Sequence, residues 1–283
     1  MARVMCVGIA ALDIINRVKK YPAEDSEVRA LAQSQRMGGN AANTAIVLAQ
    51  LGACVFWVGN LAQSAEIVDR SFARYGVDAS LAVRIVDAVM PTSYILLSET
   101  SGTRSIVHFR DLPEYRADDF LNLDLRSFDW VHFEGRAIDQ LMPMLWRARG
   151  MCGLPVSLEV EKPRKGIEGL FEQVDLLLFS HDYAQARGFS DAPALLRSLP
   201  QGVLATCTWA AKGAWAIDHD GRLLHAAAPP LESVVDTLGA GDVFNAAMVH
   251  ALSSGLTVEQ ALQAAVVLAS SQCAREGLEL ADA

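Results

Sequence analysis

Closely spaced cysteines are missing from this 283-residue chain: Cys6, Cys54, Cys152, Cys207 and Cys273 are scattered, odd in number and form no CxxC. That excludes a disulfide frame and a cysteine zinc site and fits reduced thiols in a cytoplasm. Basic blocks are missing too, and 24 Lys and Arg against 33 Asp and Glu leave a net charge of −9. Neither nucleic acid nor an acidic membrane surface is an expected partner. No apolar stretch approaches the roughly 18 residues needed to cross a bilayer. The N-terminal run Val4 to Leu12 is interrupted by Asp13 before any small-residue cleavage site, so it reads as a buried strand and not a signal peptide. The expectation is a soluble, cytoplasmic protein whose length suits a single α/β unit with a large core over 1–283.

What is present is alternation. Short β-rich runs, "VFWVG", "WVHFEG", "LPVSLEV", "DLLLFS" and "GVLATCTW", are interleaved with helical patterns at Ile67 to Tyr75, Ile138 to Ala148 and Asp182 to Gly188. This predicts a mostly parallel central sheet flanked by helices. The C-terminal part carries two helical patterns, Val243 to Leu252 and Val258 to Cys273, the second with Thr257 as its cap. Asp13 to Arg36 and Leu81 to His108 break the alternation: "SYILLS" and "TRSIVHF" read as strands without helices between them, a small β-sheet lid inserted in the main unit.

Two common phosphate-binding signatures are also lacking. The chain has no GxxxxGK[ST], and Gly239-Ala240-Gly241 is followed by Phe244 where GxGxxG would have its third glycine. What remains in "DTLGAGDVFNAAM" is a Gly-rich helix start, suited to an anion, with Asp242 just inside it. An acid repels phosphate. It either caps the helix or accepts a proton from an attacking hydroxyl while the amides of 239 to 242 stabilise charge on a transferring phosphoryl group. The second stretch, "RMGGNAANTAIVLAQLG", decides between these: Gly38-Gly39 precede a helix with Asn40 and Asn43 three apart, a pair of amides suited to reading hydroxyls. Asp13, read at the end of the first strand, stands where ligand groups gather in open α/β sheets.

"GGNAAN" followed by "DTLGAGDVFNA", with a lid between them, resembles the ribokinase or PfkB family of carbohydrate kinases over nearly the whole chain. "KYPAEDSEVRALAQSQRMGGNAAN", "HFEGR" and "LEVEKPR" resemble its ketohexokinase branch most closely. The resemblance implies a ribokinase-like fold and an ATP-dependent kinase acting on a small sugar, with the 1-hydroxyl of a ketohexose such as fructose as the acceptor. It implies Asp242 as base and Gly239, Ala240 and Gly241 as the anion hole. Asp13, Gly39, Asn40 and Asn43 would hold sugar hydroxyls. Arg104 would meet the ATP phosphates, Trp209, Ala210 and Gly213 would lie at the nucleotide, and Pro230 and Cys273 would line the adenine. Asp25 would cross from the lid of a partner subunit to touch the sugar, implying a homodimer joined through the lid sheets.

Two departures stand out. The family's TxGxxG is "TWAAKG" here, with Ala210 in place of the middle glycine, and the NxxE motif near magnesium is replaced by "FSHDYA". The resemblance therefore implies ATP and Mg2+, the metal held largely by the ATP phosphates and water, with Asp182 or a carboxylate of "EVEKP" as the candidates in the chain and neither singled out. Dependence on K+, seen in relatives near the Asp236-Thr237 pair, stays open.

Overall fold

The computed structural model describes residues 1–280, so the last three positions of the expected 1–283 unit lie outside the described residues. Fourteen strands and eight α-helices are found among them. In chain order the strands are β1 (Arg3–Val7), β2 (Ala11–Val18), β3 (Ala32–Gly38), β4 (Cys54–Val58), β5 (Asn60–Ala62), β6 (Val83–Ile85), β7 (Thr92–Ser98), β8 (Arg104–Phe109), β9 (Trp130–Glu134), β10 (Val156–Val160), β11 (Leu176–Phe179), β12 (Ala205–Thr208), β13 (Ala214–Ile217) and β14 (Leu223–Ala226). The helices are α1 (Asn40–Gln50), α2 (Glu66–Tyr75), α3 (Ala117–Leu121), α4 (Ile138–Leu145), α5 (His181–Ala186), α6 (Ala192–Arg197), α7 (Ala240–Ser253) and α8 (Val258–Cys273).

The central sheet has the order β14-β13-β12-β11-β10-β9-β1-β4, with β13 alone running against the others. Its inner strands are buried on both faces, which is why they read as near-continuous apolar runs. One face packs against α1, α2, α7 and α8 through Trp57, Leu48, Phe244 and Met248. The other packs against α3 to α6 through Phe120, Phe133, Leu145 and Leu158. Thr257 caps α8 as expected: its side chain accepts the Gln260 N–H while the Gln260 side chain returns to the Thr257 N–H.

A second sheet has the order β3-β2-β7-β8. The expected strand over Val4 to Leu12 is in fact two, because the chain leaves the central sheet after Val7 and enters the second sheet at Ala11. The switch at 8–10 carries no polar signal, since both flanking strands are buried there. A side chain at Gly8 would also collide with Ala41 Cβ. Asp13 consequently lies inside β2 of the second sheet and not at the end of a central strand. The Leu81 end of the expected lid region is also corrected: β6 pairs with β5 in a separate ribbon, and residues 19–31 form a connection between β2 and β3 without strand structure.

Candidate active site

The starts of α1 and α7 converge. Gly39 precedes α1 at φ 98°, and a Cβ there would lie 2.4 Å from the Ile9 carbonyl oxygen, so only glycine lets the helix begin against the sheet-to-sheet switch. Gly239 precedes α7 at φ 81°. The helix therefore starts three residues before the expected Val243, which places Asp242 in its first turn. Asp242 makes no capping hydrogen bond to the helix, so the capping alternative does not describe it. Its Oδ2 instead accepts the Asn43 side-chain amide at 2.7 Å.

Residue spacing explains this pairing. Asn40 and Asn43 lie one turn apart on α1, and Asp242 and Asn245 one turn apart on α7, so each helix offers two polar groups on one face. Asn43 meets Asp242. Asn40 Nδ2 and Asn245 Nδ2 both donate to Glu159 Oε1, at 3.0 and 3.2 Å. Glu134, at the end of the neighbouring strand, accepts the Ile9 N–H at 3.0 Å and the Ala41 N–H at 3.4 Å, tying the switch to α1. Glu134 and Asn245 lie in the quoted stretches "HFEGR" and "DTLGAGDVFNA" but receive no role from the sequence, and Glu159 enters there only as one of the carboxylates of "EVEKP" near a metal. The available signal was an acid in each of two largely apolar strands, "WVHFE" and "VSLEV", and an Asn three places after Asp242.

Three buried carboxyls in this small volume carry a consistent electrostatic signature. Burial pushes Asp242 well above the usual carboxylate range; the Asn43 amide opposes this, while Glu161, Glu134 and Asp13 reinforce it. Burial likewise raises Glu159, with Asp242 and Glu134 adding to the rise. Glu134 is raised by burial against the pull of Arg136. A base with an elevated pKa is a better proton acceptor, provided it is ionised when the substrate hydroxyl arrives.

At the mouth of α7 the first helical hydrogen bond is that of the Val243 N–H to the Gly239 carbonyl, leaving the Gly241 and Asp242 amides free of helical partners. A Cβ at Gly241 would meet nothing within 4 Å, so this start faces open space. Arg104, from β8, donates to the Thr237 hydroxyl at 3.0 Å, and Arg36, from β3, pairs with Asp236 at 2.7 Å. Both contacts hold the second sheet against the segment that leads into α7. Across that sheet Arg36, Asp13, Ser93 and His108 fall in one register row. Burial raises the Asp13 carboxyl, opposed by the Ser93 hydroxyl and the Arg36 charge, and the Asp13 carboxyl occupies the space a side chain at Gly38 would need.

The remaining sequence candidates are placed as follows. The Cys273 carbonyl, at the end of α8, accepts the Val235 and Asp236 N–H groups at 2.8 and 3.2 Å and so joins that helix to the segment leading to Asp242. Trp209 is buried and meets His181 edge to face at 4.6 Å. Gly213 closes the turn after β12 against the Ala226 carbonyl. Pro230 is exposed before that same segment, and Asp25 is exposed at φ 56° in the β2–β3 connection. Among the described residues no three His, Cys, Asp or Glu side chains gather as a metal-holding group.

Ala210 adopts φ 47°, the left-handed conformation that the family's glycine would take without strain. An L-residue there costs about 1–2 kcal/mol, and the entropy lost by introducing glycine is about 0.4–1 kcal/mol. Ala210→Gly is therefore expected to raise the unfolding temperature by about 1–3 °C in a calorimetric scan. Ala211→Gly, in the same turn but without the positive φ, should lower it.

Residues 1–282 match the profile described as pfkB family carbohydrate kinase. Mouse ketohexokinase is 38% identical over 291 aligned residues, covering 98% of this chain and 98% of its own. An ATP-dependent ribose-1-phosphate kinase of Halopiger xanaduensis is 26% identical, covering 98% and 94%. Among solved structures, Arabidopsis thaliana ribokinase complexed with ribose and ATP superposes with a TM-score of 0.79 at 22% identity, covering 98% of this chain and 93% of its own. Ribokinase from Cryptococcus neoformans in complex with ADP gives 0.77 at 20% identity, covering 98% and 95%. These two similarities bear on the fold, which is ribokinase-like.

Proposed function

Since the chain belongs to the PfkB family of carbohydrate kinases and is an ATP-dependent sugar kinase, we propose that it phosphorylates the 1-hydroxyl of a ketohexose such as fructose, with Asp242 as base. The observation that carries the chemistry is the buried Asp242 carboxylate, fixed by Asn43 beside the unpaired amides at the start of α7. Similarity to mouse ketohexokinase over the full chain supports the choice of sugar.

In this reading the sugar lies between Asp13, Gly39, Asn40, Asn43 and Asp242. The Asn43 amide is spent on Asp242, but its Oδ1 is buried without a partner and can accept a sugar hydroxyl. As the attacking oxygen bonds to the γ-phosphorus, its proton passes to Asp242, the bond from phosphorus to the bridging β,γ-oxygen breaks, and ADP leaves. The Gly241 and Asp242 amides and the positive end of α7 stabilise the charge on the transferring group, while the Ala240 N–H is held by the Thr237 carbonyl. Arg104, which donates to the Thr237 hydroxyl, would turn to the ATP phosphates. Mg2+ would be held by the ATP phosphates and water, where it neutralises phosphate charge.

We also assign to the protein a homodimer joined through the second sheet, working in the cytoplasm, with K+ dependence still to be measured. Tyr94 and Val107 pair on the face opposite Asp13 and are 48% and 70% exposed, and Phe109 on the same face is 51% exposed. A row of this kind on an outer strand is suited to burial against a second copy.

The reading is tested by thermal shift against a panel of ketoses, aldoses and nucleosides with an ATP analogue, followed by ADP release and phosphorus NMR of the product. Fructose should give the largest shift and a 1-phosphate ester. Turnover of a nucleoside or aldose in preference to every ketohexose would overturn the sugar assignment. Binding without ADP release would make the protein a sensor.

A further inference from the structure

Glu159 is not needed to touch either substrate in the scheme above, yet it sits at the centre of the polar contacts beneath them. It lies on β10, in register with Glu134 on one side and Leu178 on the other, and is only 5% exposed. One oxygen, Oε1, accepts two amides from different helices, Asn40 at the start of α1 and Asn245 at the second turn of α7. The other, Oε2, is buried without a partner. An acid with so little solvation is a poor choice for stability alone, because a buried polar atom left unpaired is costly. The two helices it bridges bring sequence separations of 119 and 86 residues to one oxygen atom.

Resting on the kinase reading, we propose that Glu159 is a positioning residue: it fixes the first turns of α1 and α7 relative to one another, so that Asn43 meets Asp242 and the base points at the acceptor hydroxyl. Asn40 and Asn43 share one face of α1, as Asp242 and Asn245 share one face of α7, so joining Asn40 to Asn245 through a common acceptor sets the approach of Asn43 to Asp242. Without the bridge the two helices still pack through their apolar faces, but nothing fixes their rotation at the precision a proton transfer needs.

The required group is an acceptor, not a charge. Glu159→Leu should therefore lower kcat about 10- to 100-fold, with the KM for ATP changed less than about twofold. Glu159→Gln keeps the accepting oxygen and should restore kcat to within about fivefold of wild type. Asn245→Leu breaks half of the bridge and should cost less than Glu159→Leu, and the double variant should lose no more than Glu159→Leu alone. Unfolding temperature separates this role from a merely structural one: Glu159→Leu removes a buried acid but leaves the Asn40 and Asn245 amides without their acceptor, so the two effects oppose and the temperature should move little while kcat falls.

A second measurement needs no turnover. In the free protein the Asn43 side-chain amide resonances should shift in Glu159→Leu and Asn245→Leu and return toward wild-type positions in Glu159→Gln. Wild-type kcat with unmoved Asn43 resonances in the Leu variants would overturn the proposal, as would equal losses in Gln and Leu variants or additive losses in the double variant. If Glu159→Leu does not fold, Asn245→Leu decides by the same two readouts. Failure of the wild-type protein to phosphorylate any sugar would sink the kinase reading and leave the resonance test of the bridge standing.

Discussion

Asp242→Asn should fold, bind sugar and ATP, and lose turnover by about two to four orders of magnitude. Asparagine preserves the oxygen that accepts the Asn43 amide, so the geometry at 2.7 Å survives and only the proton acceptor is removed. The same substitution is expected to stabilise the protein. Burial raises the Asp242 carboxyl in the folded state, so its contribution to stability is fully present below the ordinary carboxylate pKa and is lost as pH rises through the elevated folded value. At neutral pH the wild-type fold carries that cost, whereas the neutral amide of the variant does not. Two measurements check it: ADP release under saturating substrates, and unfolding temperature across a pH series. Wild type should lose stability relative to the variant as pH increases above the usual carboxylate range. Near-normal turnover in the variant, or a variant that is less stable at neutral pH, would remove Asp242 from the role of buried base.

The trade between stability and chemistry extends to the neighbouring carboxyls. Glu134 and Glu159 are also raised by burial, so all three acids carry a cost of ionisation in the folded protein. A functional site that stores unfavourable burial is a common reason for local choices that a stability argument would reject. Here the acids are placed where β9, β10 and α7 meet, and their contacts differ. Glu134 holds the Ile9 and Ala41 amides, Glu159 joins Asn40 to Asn245, and Asp242 remains with the single Asn43 contact. The acid with the fewest fixed partners is the one free to exchange a proton.

Much of this architecture is legible in the sequence because burial writes itself as apolar runs. "WVHFEG", "LPVSLEV" and "DLLLFS" become β9, β10 and β11, and the capped pattern Val258 to Cys273 becomes α8 residue for residue. The Gly8 to Ala10 switch is not legible, since a chain that passes from one buried strand directly into another shows a single unbroken apolar run. The helical pattern Ile138 to Ala148 also changes form. It follows α4 to Leu145, past Pro143, and then widens into a π-helical turn at Trp146–Met151, which hydrophobic periodicity does not distinguish from continued α-helix. At the site, Asp242 and Asn43 are legible because their motifs break local rules: an acid behind a Gly-rich anion turn and a second amide inside a first turn. Glu159 breaks only the apolar run of its strand, and its partners are set by tertiary contacts that no local pattern encodes.

The proposed assembly can be tested through Asp25. Asp25 is exposed in the β2–β3 connection of the sheet proposed above to join two subunits. If each site combines its own Asp242 with the partner's aspartate at that position, Asp25→Asn and Asp242→Asn proteins should both be weak alone and should complement one another when co-expressed. In a mixed dimer, the subunit with Asp25→Asn keeps its own Asp242 and receives an intact Asp25 from its neighbour, so that site is whole. The other site carries both substitutions and is dead. Random pairing under two-fold symmetry makes about half of the dimers mixed, and one site in each works, so activity should approach roughly a quarter of wild type. A ladder of tagged species on an affinity column establishes how much of the preparation is mixed, and the recovered activity should scale with that fraction. Activity no greater than the average of the two variants, in a preparation shown to contain mixed dimers, would confine Asp25 to its own chain or to the surface and withdraw the shared site, while leaving the Asn43–Asp242 chemistry to be judged by the first experiment.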